Sequence, residues 1–105
     1  MSAAPAATVA DNPQQQRYEI RSGDELAGFV QYRAAASQIE LVHTEVEDRF
    51  EGQGLASKLI GFALDDARER GLAVLPTCPF VKAHIQRHRE YLGLVPEEQR
   101  DSFGL

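Results

Sequence analysis

Two glycines in the stretch Arg49-Phe50-Glu51-Gly52-Gln53-Gly54-Leu55-Ala56 stand where an extended segment turns into a helical one. At such a turn the backbone N–H groups and the positive end of the following helix converge, and a phosphate or diphosphate fits where they meet. The spacing is R-x-x-G-x-G. No Gly-Lys-Ser/Thr follows, so this is not a Walker loop, and the third glycine of a dinucleotide fingerprint is missing. The expected donors are the N–H groups of Phe50, Glu51, Gly52, Gln53, Gly54, Leu55 and Ala56. The bland use of the same glycines is a tight turn with no ligand.

Three more side chains could carry chemistry. Cys78 is the one cysteine, and Pro79 after it suits the first turn of a helix. A helix N-terminus favours a thiolate, whereas free cysteine in general is among the most buried residue types. Both packing and chemistry therefore stay open for Cys78. His43 and Glu45 lie two apart on one face of an extended segment just upstream of the glycines, placed either for general-base work or simply for solvent. The three histidines and Cys78 are scattered. His84 and His88 are four apart but lack the glutamate of H-E-x-x-H, so no metal site is expected.

The glycine stretch resembles the acyl-CoA loop of the GNAT superfamily of N-acetyltransferases, Gln/Arg-x-x-Gly-x-Gly/Ala. A second run, Val74-Leu75-Pro76-Thr77-Cys78-Pro79-Phe80-Val81 with Ile85-Gln86-Arg87-His88 and Glu90-Tyr91, resembles the very short, single-domain GNAT-like acetyltransferases. Their pattern is close to V-x-P-x-C-P-F-V-x-x-Y-I-x-R-H-P-E-Y. The likeness runs from Tyr18 to Val95. It departs at His84, where tyrosine is usual, and at Arg89, where proline is usual.

The resemblance implies acetyl-CoA as co-substrate and a small amine or lysine-type acceptor. It implies a bulged strand whose freed backbone, at Thr44 and Val46, pairs with the pantetheine arm, with the Val46 N–H as an oxyanion donor. It places Cys78 beside the thioester, as a nucleophile or as an acid for the departing thiolate, and His43 or Glu45 as the base that strips the attacking amine of its proton. Lys82, Arg87 and His88 could meet the phosphates of coenzyme A, but such residues are more often merely solvated.

The elements that must hold these groups follow from periodicity. Met1 to Gln16, rich in Ala, Pro and Gln, has no apolar period and is expected to be a disordered leader, with the domain spanning 17–105. Arg17 to Arg21 and Glu25 to Arg33 read as strands around a Ser22-Gly23-Asp24 turn, with Leu26, Gly28, Val30 and Tyr32 on one face. In Gln38 to Val46 the alternation slips: Ile39 and Leu41 share one phase, Val42, Thr44 and Val46 the other, which predicts a β-bulge. Gly54 to Arg70 reads as a helix with Leu55, Leu59, Phe62, Ala63 and Ala67 inward, closed by Gly71. Leu72 to Cys78 reads as a buried parallel strand that Pro76 makes diverge from its neighbour. Pro79 then opens a helix with Phe80, Val81 and Ile85 inward. The fold class is α/β (α+β): a GNAT-like, mostly antiparallel mixed sheet with one splayed parallel pair and two main helices.

Composition removes other classes. The chain has 105 residues and a net charge of −5 with interspersed signs, against a nucleic-acid scaffold. No apolar run approaches the ~20 residues of a membrane span. The N-terminus lacks a signal-peptide pattern, and a single thiol suits a reducing cytosol. The rival to an N-acetyltransferase is a module that binds acyl-CoA without turning it over, because only a few residues, Arg21 to Glu25, occupy the place of the acceptor-pocket helices of longer relatives.

Overall fold

The computed structural model describes residues 7–105. Five strands form one sheet in the order of the chain: β1 (Ala7–Asn12), β2 (Arg17–Ser22), β3 (Glu25–Ala34), β4 (Gln38–Val46) and β5 (Ala73–Pro76). The first three pairings are antiparallel and β4–β5 is parallel, so the expected mixed sheet is present with one more strand than the periodicity suggested. Helix α1 (Leu55–Glu69) connects the parallel pair, and α2 (Pro79–Arg87) follows β5 directly. Among the described residues no helix is long and apolar enough to cross a membrane.

The expected leader is corrected from Ala7 onward; residues 1–6 lie outside the described part. Val9 has little apolar company in its own segment but packs against the core, with Ala7 beside it. Polar bonds to distant residues hold the strand. The Tyr32 hydroxyl donates to Asp11 Oδ1 at 2.6 Å, Arg70 donates to Asp11 Oδ2 at 3.0 Å, and Lys58 Nζ donates to the Ala7 carbonyl at 2.7 Å. Asp66 completes the network, accepting from the Tyr18 hydroxyl at 2.5 Å and from Arg70 Nε at 3.1 Å. Burial and the Asp11 carboxylate push the Tyr32 hydroxyl up to about 12; burial and Asp66 raise that of Tyr18 likewise. Both hydroxyls therefore remain donors, tying β1, β2 and β3 to α1.

Two register slips set which side chains face the helices. On β3, Ile20 pairs with Gly28 and Arg21 with Leu26, leaving Ala27 extra. Ala27, Val30 and Tyr32 are consequently buried, and Leu26 turns away from the face assigned to it by simple alternation. On β4, Gln31 pairs with His43 and Tyr32 with Leu41, leaving Val42 extra at the predicted bulge. Ile39, Leu41 and Thr44 thus all lie buried, while His43 and Glu45 are exposed.

The core lies between this sheet face and the helices. Tyr18, Ile20, Ile39, Leu41, Leu59, Leu64, Val74 and Ile85 are each at most 1% exposed. A fully buried side chain of this size contributes roughly 1.5–3 kcal/mol, so the interface that orients α1 and α2 is also the main source of stability. Phe62 is corrected: it is 40% exposed and meets Tyr18 edge-on, while Ile60 and Leu64 complete the inward stripe.

Candidate functional site

The parallel strands part where the bulge begins. Their pairing ends at Leu41–Pro76, and the last link is the Cys78 N–H donating to the Leu41 carbonyl at 2.9 Å. The Glu47 N–H donates to the Ala27 carbonyl at 2.8 Å, which fixes the phase of the antiparallel ladder. Glu45 and His43 therefore spend their backbone groups on β3, whereas those of Thr44 and Val46 point into the gap that β5 has left. A strand edge faces a cleft there.

That cleft has a volume of about 720 Å³. Thr44 and Val46 line its strand side, Phe50, Glu51, Gly52 and Gly54 its loop side, and Leu55, Ala56 and Ser57 the mouth of α1. Pro79, Phe80, Ala83 and Arg87 of α2 form the opposite wall. Gly52 and Gly54 have φ of +81° and +73°, and a Cβ built on either would meet no protein atom within 4 Å. The chain conformation demands glycine here, and the space beside it is open.

Helix α1 begins at Gly54 with no capping side chain. The N–H groups of Phe50 and Glu51, both expected to face an anion, are instead used within the turn, donating to Glu47 and Asp48 carbonyls at 2.9 and 3.1 Å. Those of Gly52, Gln53, Gly54, Leu55, Ala56 and Ser57 meet no backbone carbonyl among the described residues. The free donors thus start two residues later than the spacing suggested. Gln53 contributes its backbone to this run, but is not part of the cleft lining.

Cys78 and Thr44 meet at the point where the strands diverge, Sγ to Oγ1 at 3.2 Å. Cys78 is 1% exposed and does not line the cleft; Thr44, its partner, does. His43 and Glu45 are on the far face of the sheet, bonded to each other at 3.0 Å. Glu45 borders a second hollow of about 350 Å³ that also includes Leu26, Phe29 and Glu47. The two hollows share Val46, so the structure separates His43 and Glu45 from Cys78 by the thickness of β4.

Of the α2 wall, the sequence pointed only to Arg87; Pro79, Phe80 and Ala83 were missed as cleft residues. Phe80, expected inward, is 59% exposed, and the inward positions are Val81, His84 and Ile85. Phe80, Ala83 and Arg87 recur at i, i+3 and i+7, a helical face that could have been found once Val81 and Ile85 were taken as the buried one. His84 lies between the helices, with Nδ1 3.5 Å from the Ser57 hydroxyl and its ring tilted by 36° against that of His88, the centroids 4.4 Å apart. Burial lowers the pKa of His84, and the neighbouring His88 and Arg87 lower it further.

Comparison with known proteins bears on the family and the fold. A family model described as GCN5-related N-acetyl-transferase matches residues 17–94. No curated protein sequence matches. A GCN5-like protein from Staphylococcus aureus, solved in solution by NMR, superposes with a TM-score of 0.65 at 23% identity, covering 85% of this chain and 87% of that one. At that identity the likeness speaks for the fold.

Proposed function

Since the chain belongs to the GCN5-related N-acetyl-transferase family, we propose that it transfers an acetyl group from acetyl-CoA to an amine, with a small amine or lysine-type side chain as acceptor. The observation that carries this reading is the uncapped mouth of α1: consecutive amides from Gly52 to Ser57, unpaired among the described residues, opening on a cleft that ends at a free strand edge. Coenzyme A has the matching parts. The amides hold its diphosphate, and Thr44 and Val46 pair with the pantetheine amides as an added strand would.

Acetyl-CoA supplies an acyl carbon activated by its bond to sulfur. The Val46 N–H, directed into the gap, is the donor for the oxygen of that acyl group as negative charge develops on it. An ammonium has no lone pair, so the acceptor must first lose a proton. His43 takes it on the far face of the sheet, from which the acceptor approaches past Val46, and Glu45 holds the imidazole in place. The amine nitrogen bonds to the acyl carbon, the carbon–sulfur bond breaks, and the second proton released by that nitrogen passes to the departing thiolate, which leaves as the thiol. Cys78 acts through Thr44, orienting the hydroxyl that faces the departing sulfur.

The test is transfer of labelled acetyl to a panel of primary amines. A His43→Ala variant should bind coenzyme A normally and lose about a hundredfold in kcat. A second reading, binding without turnover, is favoured by the tight hairpin at Ser22–Glu25, which leaves the Glu45 side of the sheet uncovered. Tight coenzyme A binding with no acetylation of any amine would select it.

A further inference from the structure

The loop's own arginine does not serve the cleft. Arg49 is bonded to Glu47 at 3.0 Å and to Glu25 at 2.5 Å, and its guanidinium lies 4.7 Å over the Phe50 ring. Two carboxylates neutralise it, and it does not line the cleft. The charged residues that do are Glu51 and Arg87. A diphosphate brought there meets a nearby carboxylate in a protein of net charge −5, so amides alone face an unfavourable field. Arg87 has no carboxylate within salt-bridge distance among the described residues and is exposed.

Its position along α2 selects the part of the ligand that it can reach. Pro79 opens the helix next to the Thr44–Cys78 contact, and Arg87 ends it eight steps later, ~12 Å away at about 1.5 Å per residue. That separation takes Arg87 away from the thioester end and towards the mouth of α1, where His84 of the same helix approaches Ser57.

From this geometry we infer that Arg87 is the counter-charge for the diphosphate of coenzyme A, and that it makes the cleft selective for nucleotide-bearing acyl carriers over bare pantetheine thioesters. The inference rests on the acyl-CoA reading above and adds the residue that sets carrier selectivity. A guanidinium suits the task because it binds phosphate oxygens through a planar fork of donors.

The experiment is calorimetric titration of the full chain and of Arg87→Ala and Arg87→Lys with coenzyme A, dephospho-coenzyme A and pantetheine. Arg87→Ala should weaken both nucleotide ligands roughly ten- to hundredfold, the scale of a charge-assisted bond, and leave pantetheine unchanged. Arg87→Lys should recover only part of the loss, because it restores the charge without the planar fork. The ligand-free melting temperature should move only slightly, because among the described residues the side chain has no ion-pair partner and contributes only an exposed charge in the last turn of α2. Unchanged affinity in Arg87→Ala overturns the inference while leaving the acyl-CoA reading intact. A loss confined to coenzyme A also overturns it, since that places Arg87 on the 3′-phosphate. Failure of the unmutated chain to bind coenzyme A overturns both.

Discussion

The two ends of α1 both carry glycine in the left-handed region, and they are finished in opposite ways. At the C-terminal end Gly71, with φ of +69°, donates to the Arg68 carbonyl at 3.1 Å, and Leu72 donates to that of Ala67 at 2.9 Å. This is a Schellman closure, in which the chain satisfies its own last carbonyls. At the N-terminal end Gly54 has nearly the same φ, yet no side chain caps the first turn and the amides are left open on a cleft. With glycine where Ser, Thr, Asp or Asn would cap, the first turn forgoes roughly a few tenths of a kcal/mol. The difference shows that left-handed glycine can end a helix for the protein's own sake or hold an end open, and that only the inventory of bonds around it tells the two apart.

The largest effect that would break this contrast is at Gly54. Gly54→Val should weaken coenzyme A more than a hundredfold by calorimetry, because the loop must leave the left-handed region and the amides lose their convergence. Ligand-free stability should fall only by about 1–2 kcal/mol, the usual cost of that conformation for a residue with a Cβ. Equal losses of binding and stability would mean that the two ends are alike.

At the other end the balance should reverse. Gly71→Ala should cost ~1 kcal/mol in denaturant unfolding, with coenzyme A affinity unchanged. A loss of affinity there would indicate that the helix transmits strain along its length.

The smallest effect concerns pH and sharpens the comparison at the open end only. His84, beside Ser57 in the first turn, has its pKa lowered by burial and by the nearby His88 and Arg87, with Glu90 and Asp65 opposing. In the unfolded chain an imidazole titrates near ~6.5. Between that value and the lowered folded one the unfolded state holds more protons, so stability is fully present above it and is lost as pH falls. Urea unfolding should weaken below about pH 6.5, and His84→Tyr should flatten that slope.

Some of this was legible in advance because it was local. The phase slip of Ile39 and Leu41 against Thr44 announced the β4 bulge, and Pro76 before Cys78 announced the divergence of β5. The α1 amides followed from two glycines before an apolar stripe, although the engagement of Phe50 and Glu51 within their turn was hidden. What escaped depended on distant partners. Strand β1 has one strong hydrophobe, Val9, and is held by Tyr32, Lys58 and Arg70, which no window of sequence contains. The Ala27 slip was invisible because Ala and Gly fit either face of a strand. The Thr44–Cys78 contact spans 34 positions, and the cleft-facing side of α2 is defined by how that nine-residue helix docks.

The central claim is that the open mouth of α1 and the free edge of β4 together bind an acyl-CoA. Titration calorimetry of the full chain with coenzyme A, with thermal melting alongside, tests it most directly. The account predicts saturable heat at one site per chain and protection by about 2.7 kcal/mol at a hundredfold excess over Kd. No heat and no shift of the melting temperature with millimolar coenzyme A would contradict it.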